Sequence, residues 1–207
     1  MHTSQSSVIA SPFLRLDLPI RPGQSDKGFS VEVLANLQAP TDQSPISATE
    51  PDWSREQLRQ WWDPSRQLLK SIRQYQRWQS RGGALGFCLS RLSVIKHRFW
   101  SVVTGADIPI NCKLGGGLLL PHPNGVVVHP DAKIGCNCLF LQQVTIVGGV
   151  KIGGHVDIGA GAKIIRPVTI GDHAKIGANA VVLKDIPSRT TAVGIPARIV
   201  MPDGANG

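Results

Sequence analysis

The chain has 207 residues, of which 42% are hydrophobic and 17% charged, so it is long enough to enclose one sizeable core. Its four cysteines show neither CxxC pairs nor the density of a secreted disulfide scaffold, which argues against a zinc ribbon or a small secreted domain. No stretch resembles a membrane span, and the apolar N-terminal part lacks a basic start and a cleavage site, so we expect a cytoplasmic protein.

Residues 1–50 form the first segment, which is rich in Ser, Pro, Gln and Thr and has no sustained apolar period. This composition predicts a loosely ordered N-terminal arm. Residues 51–104 carry helical signals instead. Asp63 followed by Pro64 predicts a helix start, because aspartate can cap free amides and proline suits the first helical position. A second helix is predicted over "ALGFCLSRLSVIKHRFWSVV", with Leu85, Leu89, Leu92 and Phe99 on or near one face.

The positive charge is concentrated in the helical segment. Residues 52–104 contain ten Lys and Arg against three Asp and Glu, a balance of +7 out of the total of +8. In the first helix the cations recur every three or four residues and share one side, namely Arg66, Lys70, Arg73, Arg77 and Arg81. Such a stripe suits an anionic polymer, a membrane surface or a phosphate-bearing ligand, but a solvated helix face is the favoured interpretation, and we expect no nucleic-acid partner.

From residue 108 onward the sequence repeats with a period of six. Bulky apolar residues keep this spacing without a break at Ile134, Phe140, Ile146, Ile152, Ile158, Ile164, Ile170, Ile176 and Val182. Two residues before each stands a small or β-branched residue. This period does not fit an α-helix, but it fits short strands and turns wound into a prism-shaped coil. The sequence therefore predicts a mainly β fold, a parallel β-helix over residues 105–200, preceded by the small helical segment and followed by a short tail at 201–207.

The repeat is interrupted once, inside "PHPNGVVVHP". Ile108, Leu114, Leu120 and Val126 keep the spacing of six, yet Val128 rather than Val126 is in phase with Ile134. The chain therefore gains two residues between the two phases. We expect function at this irregularity, because a regular coil otherwise enforces local consistency.

The coil sequence resembles the hexapeptide acyltransferases with a left-handed β-helix, and within them the serine acetyltransferases. The resemblance is carried by "ADIPINCKLGGGLLLPHPNGVVVHPDAKIG", "LQQVTIVGG", "VDIGAGAKIIRPVTIGDHAKIGANAVVLKDIP" and "TTAVGIPARIV", which together cover residues 106–200 almost continuously. It implies a left-handed coil and transfer of an acetyl group from acetyl-coenzyme A to a hydroxyl, with L-serine the first acceptor, as in cysteine biosynthesis.

The resemblance also implies roles for individual residues. The family's catalytic histidine falls on His122, and its partner aspartate falls on Asp107. Coenzyme contacts fall on Gly148, Ala160, Lys175 and Ala178. An acceptor contact in the helical segment could fall on Asp63, but the spacing there is shorter than in the family, and the helix cap is the favoured interpretation of this residue. No metal is expected to take part.

Two departures from the family concern the acceptor. Pro121 stands where serine acetyltransferases usually have an aspartate, and "VTIVGGVKIGG" keeps perfect phase, so the family's inserted Arg-His loop is missing. These departures and the basic helix favour a second acceptor, a sugar hydroxyl in exopolysaccharide or capsule biosynthesis. More remote interpretations are a metal-dependent lyase similar to the β-helix carbonic anhydrases, which needs three converging histidines, and a scaffold that retains the coil without the chemistry.

The resemblance finally implies an assembly. Family members are commonly trimers with the active site between adjacent coils, so we expect a homotrimer or a higher oligomer. The ending "MPDGANG" lacks the isoleucine-ended tail by which family members dock onto cysteine synthase, and we expect no such complex.

Overall fold

The computed structural model describes residues 46–200, within which the helical segment and the coil form one compact unit. The C-terminal tail and all but the last five residues of the N-terminal arm lie outside the described residues. A single 3-10 turn at Trp53–Glu56 precedes two helices, α1 at Pro64–Arg81 and α2 at Gly83–Thr104. Helix α1 begins at the proline, as the sequence predicts.

The two helices pack closely because α2 turns its small residues toward α1. The buried residues of α2 are Gly86, Ser90, Ser93 and Thr104. A methyl group added at Gly86 would lie only 2.9 Å from the carbonyl oxygen of Trp78, so this glycine permits the close approach. The larger apolar residues of α2 share the opposite side of the helix, as the sequence pattern predicts, but that side is exposed, with Leu85 70% and Phe99 53% accessible.

The rest of the chain winds through short parallel strands. The bounds are β1 Lys113–Leu114, β2 Val127–Val128, β3 Lys133–Ile134, β4 Leu139–Phe140, β5 Thr145–Ile146, β6 Lys151–Ile152, β7 Asp157–Ile158, β8 Lys163–Ile164, β9 Thr169–Ile170, β10 Lys175–Ile176, β11 Val181–Val182, β12 Thr191–Val193 and β13 Arg198–Val200. They form three sheets, with orders β1-β3-β6-β9, β2-β5-β8-β11 and β4-β7-β10-β12-β13. We call these faces B, A and C respectively. Only β12 and β13 pair antiparallel among the described strands.

The bulky apolar residues of the period-six series form the core of the coil. Every residue of the period-six series is buried, and so is the smaller residue two positions before each one. Thr145 pairs with Lys163, and Lys163 with Val181, so one turn of the regular coil takes eighteen residues. The predicted β-helix, preceded by a helical segment, is therefore confirmed.

The predicted two-residue gain is also present. In the first turn Lys113 pairs with Lys133, and Leu119 bridges to Leu139, a separation of twenty residues instead of eighteen. Val127 already pairs with Thr145 at the regular spacing. The two additional residues consequently lie in the corner between Leu120 and Val126, which contains His122. The sequence analysis missed a second irregularity, since Lys175 pairs with Thr191, a shortened turn of sixteen residues.

The side chains of a buried asparagine, Asn137, and of Arg55 fasten a strap of residues 46–56 to the coil. The side chain of Asn137 donates to the carbonyl oxygens of Ser47 and Glu50 at 2.7 and 2.8 Å. Its side-chain oxygen accepts from the backbone amide of Asp52 at 2.8 Å. The asparagine has a positive φ of 58°, a conformation that asparagine tolerates better than most residues. One corner side chain thus satisfies three backbone groups of the strap.

We expect Asn137→Ala to lower the free energy of unfolding by about 2–4 kcal/mol, because three backbone groups of the strap lose their hydrogen bonds to a buried side chain. The matched control is Asn179→Ala, which removes an exposed corner asparagine of similar φ, 55°. That change should cost about 1 kcal/mol, the backbone contribution alone. Urea unfolding of both variants measures the difference, and equal losses would show that the three hydrogen bonds of the Asn137 side chain add no stability.

A second fastening joins α1 to the first turn of the coil. Arg73 donates to both carboxylate oxygens of Glu56 at 3.1 and 2.8 Å and to the carbonyl oxygens of Leu114 and Gly115 at 2.7 and 2.6 Å. Glu56 also accepts from the amide of Leu118 at 3.1 Å. The favoured interpretation of the basic stripe as a solvated face is therefore wrong for Arg73, whose guanidinium pairs with Glu56 and binds two backbone carbonyl groups.

Candidate active site

One edge of the coil gathers the residues that the sequence analysis assigns to chemistry. At this edge, which we call corner I, the chain passes from face C to face A. Its successive turns are residues 121–125, 141–143, 159–161 and 177–179. The amide of Gly125 donates to Gly105 and the amide of Gln143 to Asn124, at 2.8 and 2.9 Å. The enlarged first turn displays His122 as an exposed side chain at this edge.

Asp107 lies one turn of the coil from His122, at the beginning of face A. It bridges to Val127, with its amide donating to Val126 at 2.8 Å and its carbonyl accepting from Val128 at 2.9 Å. It follows the corner residue Gly105 by two positions, so the structure brings Asp107 to the same edge as His122. No hydrogen bond or ion pair joins their side chains among the contacts of residues 46–200.

A cleft of about 460 Å³ opens beside His122. Three segments line it: the residues before and at the start of α1, the end of α2, and the enlarged corner. Its lining residues are Gln60, Trp62, Asp63, Pro64, Ser65, Val103, Thr104, Pro121, His122, Pro123 and Asn124. The sequence analysis named Asp63 and His122, but it missed the aromatic wall that Trp62 provides. Trp62 is 45% exposed and packs edge-on against Trp100, with ring centroids 5.5 Å apart.

The structure gives Asp63 a different local role from the predicted cap. Asp63 stands at the N-cap position of α1, but its side chain makes no capping hydrogen bond. The carboxylate instead accepts from the guanidinium of Arg66 at 3.0 Å. The predicted side-chain cap is therefore wrong, and the oxygen that accepts from Arg66 also accepts from the backbone amide of Arg59 at 3.4 Å. Asp63 remains in the cleft wall as a carboxylate held by a cation.

The expected coenzyme contacts fall at two corners of one chain. Ala160 and Ala178 lie on corner I in successive turns above His122, and the amide of Asn179 donates to the Ala160 carbonyl at 2.8 Å. Lys175 begins β10 on the adjoining face C and is exposed. Gly148 lies at the other end of face A, where a methyl group would meet the ring of His129 at 2.9 Å. A single chain therefore groups three of these four positions and separates the fourth.

His97, which the sequence analysis did not single out, holds α2 against the site. Its Nε2 donates to the carbonyl oxygen of Ile108, the residue after Asp107, at 2.8 Å. Burial lowers the pKa of His97 below its ordinary value, despite the carbonyl and the nearby Asp107 carboxylate, which both favour the charged form. The hydrogen bond places a proton on Nε2, and the lowered pKa favours the neutral form of the ring. A lone histidine inside an apolar helical pattern gave no signal of this contact.

Two further histidines meet at a different edge of the coil. His155 and His173 occupy the same corner in successive turns, and their Nδ1 atoms are 2.9 Å apart. One ring must donate and the other accept, so the pair cannot keep this bond with both rings charged. Burial lowers the pKa of His155, and His173, Arg55 and Lys175 lower it further against the opposing effect of Asp157.

This pKa shift predicts a pH-dependent stability. Because the pKa of His155 is lower in the folded state than its ordinary value of 6.5, the unfolded chain takes up the proton first as the pH falls. The free energy of unfolding should therefore decline as the pH falls below about 6.5. His155→Asn, which suits the positive φ of 52°, should flatten this decline in urea unfolding at successive pH values. His129→Asn, at an exposed position, should leave it unchanged, and equal slopes for all three proteins would contradict the prediction.

Within residues 46–200 no three His, Cys, Asp or Glu side chains lie together as a metal ligand set. None of the helices that the structure describes is long and apolar enough to cross a membrane.

The class of the coil follows from its repeat and from a family comparison. Residues 149–184 match the family described as "Bacterial transferase hexapeptide (six repeats)". These residues form two complete turns of the eighteen-residue coil, from before β6 to after β11. This part of the chain is accordingly a hexapeptide-repeat β-helix.

The particular resemblance is to serine acetyltransferases. The chain is 40% identical over 111 residues to the serine acetyltransferase of Synechococcus elongatus, a match covering 50% of this chain and 46% of that one. It is 45% identical over 117 residues to that of Escherichia coli, covering 53% and 43%. The chain thus spans about half the length of the curated relatives it matches. The predicted resemblance is confirmed.

Solved structures give the same result. Soybean serine acetyltransferase complexed with serine superposes with a TM-score of 0.55 at 38% identity, covering 66% of this chain and 57% of that one. A serine acetyltransferase in complex with CoA superposes with a TM-score of 0.57 at 35% identity, covering 67% and 57%.

Proposed function

We propose that this protein transfers the acetyl group of acetyl-coenzyme A to a hydroxyl, with L-serine the first acceptor, in the cytoplasm and as a step of cysteine biosynthesis. The observation that carries the proposal is the enlarged corner, which presents His122 at the mouth of a cleft and beside the turn that holds Asp107. The similarity to serine acetyltransferases supports the acceptor, and the relatives solved with serine and with CoA support both substrates.

In the proposed reaction His122 acts as the general base. The neutral imidazole takes the proton of the acceptor hydroxyl as its oxygen attacks the thioester carbonyl, and Asp107 stabilises the resulting imidazolium. The tetrahedral intermediate then breaks its carbon–sulfur bond. The thiolate leaves, takes the proton back from the imidazolium and departs as free coenzyme A, so the histidine is restored. An exposed histidine at a cleft mouth can exchange this proton with both substrates.

We propose that the coenzyme binds between two copies of the chain in a homotrimer. Ala160, Ala178 and Lys175 cluster at corner I and face C, whereas Gly148 lies across face A. A coenzyme that runs along corner I of one chain would reach Gly148 of an adjacent coil. Closed cyclic assemblies form by repeating such a heterologous contact. The proposal includes no cysteine synthase partner.

The cleft favours one alternative acceptor, a neutral sugar. None of the described residues that line the cleft is a lysine or arginine, whereas the carboxylate of an amino acid is stabilised by a cationic partner. The exposed indole of Trp62 offers an apolar face to a sugar ring, and Gln60 and Asn124 offer amides to its hydroxyls. A sugar hydroxyl of an exopolysaccharide precursor is therefore the second candidate.

The test is release of free thiol from acetyl-coenzyme A by the purified full chain, with L-serine and with candidate sugars in parallel. Serine-dependent release at the higher kcat/KM supports the proposed function. Release that depends on a sugar alone replaces the acceptor but retains the chemistry. Absence of release with either class of acceptor would overturn acetyl transfer.

A further inference from the structure

The exposed side of α2 carries a continuous line of large apolar residues. Leu85, Leu92, Ile95, Phe99 and Val102 are 70%, 46%, 65%, 53% and 83% accessible. Their spacings of seven, three, four and three residues keep them on one side of a helix over more than four turns. We call these five residues the apolar stripe. Single exposed apolar residues are common on proteins, but a contiguous line of this length marks an interaction surface.

The apolar stripe cannot turn inward by a small rotation of the helix. The opposite side of α2 is already packed through Gly86, Ser90 and Ser93, all of which are buried. A larger side chain at Gly86 would clash with α1, since even a methyl group there would lie 2.9 Å from the carbonyl oxygen of Trp78. The inward side of α2 therefore packs closely against the protein, and the large apolar residues of its outward side are left without a partner among the described residues.

Positively charged side chains border the apolar stripe on both flanks. Lys96 lies next to it on one flank, and Arg91 and Arg98 lie on the other, all three exposed. Residues 64–104, which span both helices, contain eight Lys and Arg and no Asp or Glu. An apolar line between positive flanks is the pattern of a helix that lies in the plane of an anionic lipid surface.

We propose that the apolar stripe docks α2 onto an anionic membrane surface, with the helix parallel to the bilayer and its flanking cations among the lipid headgroups. Such docking needs no membrane-spanning helix. A second copy of α2 fits the surface less well. In an antiparallel pair each flank faces its own copy, and in a parallel pair it faces the other flank, so cations face cations in both arrangements. Lipid phosphates instead supply the missing negative charge.

The apolar stripe ends beside the cleft that His122 lines. Val102, at its end, is followed by Val103 and Thr104, which line the cleft beside His122. A docked α2 therefore places the membrane surface within one helical turn of two residues that line the cleft. The docking itself does not depend on the proposed acetyl transfer, because its evidence is the exposure and charge of the helix.

Vesicle co-sedimentation of the full chain tests this proposal. We compare neutral phosphatidylcholine vesicles with vesicles containing about one third phosphatidylglycerol. The protein should bind the anionic vesicles roughly tenfold more strongly. Binding should fall several-fold between about 0.1 and about 0.5 M salt, since the Debye length shortens. Equal binding to both vesicle types would overturn the proposal.

The variant Ile95→Ser/Phe99→Ser should lose roughly tenfold or more of this binding, because two inserted side chains are removed. Its matched control is Ile195→Ser, which removes an equally exposed apolar side chain, 74% accessible, outside α2. Unchanged far-UV circular dichroism is expected for both, since the three residues are exposed. Binding of the double variant at the level of the unchanged protein would contradict the proposal. A drop in the sedimentation mass of the double variant without vesicles, with no loss of lipid binding, would assign the apolar stripe to a second copy instead.

Discussion

His122→Ala should lower kcat for acetyl transfer on the order of 10²- to 10⁴-fold, the contribution of a positioned general base. The side chain is exposed at the enlarged corner, so its loss opens no cavity and the free energy of unfolding should change by less than about 0.5 kcal/mol. Steady-state thiol release, with urea unfolding of the same preparation, separates loss of chemistry from loss of fold. A variant that retains near-normal kcat would remove His122 from the mechanism.

The matched control is His129→Ala, seven residues further along the chain. His129 is also exposed, and its Nδ1 accepts from the amide of Asp131 at 3.2 Å within its own corner. It lies on the far side of face A from the cleft. Its kcat should stay within about twofold of the unchanged protein, because no proton transfer is assigned to it. The comparison is made in kcat and not in the KM for acetyl-coenzyme A, since the His129 ring lies against Gly148, a proposed coenzyme contact. A loss equal to that of His122→Ala would mean that neither histidine acts in the specific way proposed.

Arg73→Ala should lower the free energy of unfolding by about 3–5 kcal/mol, the cost of removing one partner from a buried ion pair. Glu56, whose side chain is only 7% exposed, would lose the guanidinium that pairs with it. The carbonyl oxygens of Leu114 and Gly115 would lose their donors as well. The tryptophans lie between residues 53 and 100, so their fluorescence during urea unfolding reports on the helical segment where the loss occurs.

Arg77→Ala is the control for that measurement. Arg77 belongs to the same helix and the same basic stripe, but it is exposed, so its removal should change the free energy of unfolding by less than about 0.5 kcal/mol. The two substituted positions are one turn of α1 apart, and both variants remove one positive charge. Similar effects from both would show that the Arg73–Glu56 pair does not join the helical segment to the coil.

The sequence by itself determined the coil and its irregularity. A repeat that places one bulky residue inside every six, without a break from Ile134 to Val182, leaves short strands and corners as the only arrangement that buries each one. The two-residue gain near His122 was readable for the same reason, because any change of length shifts the phase of later rungs. The hexapeptide repeat and the similarity to serine acetyltransferases rest on the same residues.

Only the tertiary structure decided how the helical segment is used. A periodic pattern states which residues share a side, but not which side faces the protein, and α2 buries glycine and serine while it exposes its large residues. The stripe of cations on α1 likewise did not indicate that Arg73 forms an ion pair with Glu56 and donates to two carbonyl groups of the coil. The cleft combines Trp62, Thr104 and His122, three residues far apart in the chain. Such contacts depend on how separate elements pack, which local sequence does not encode.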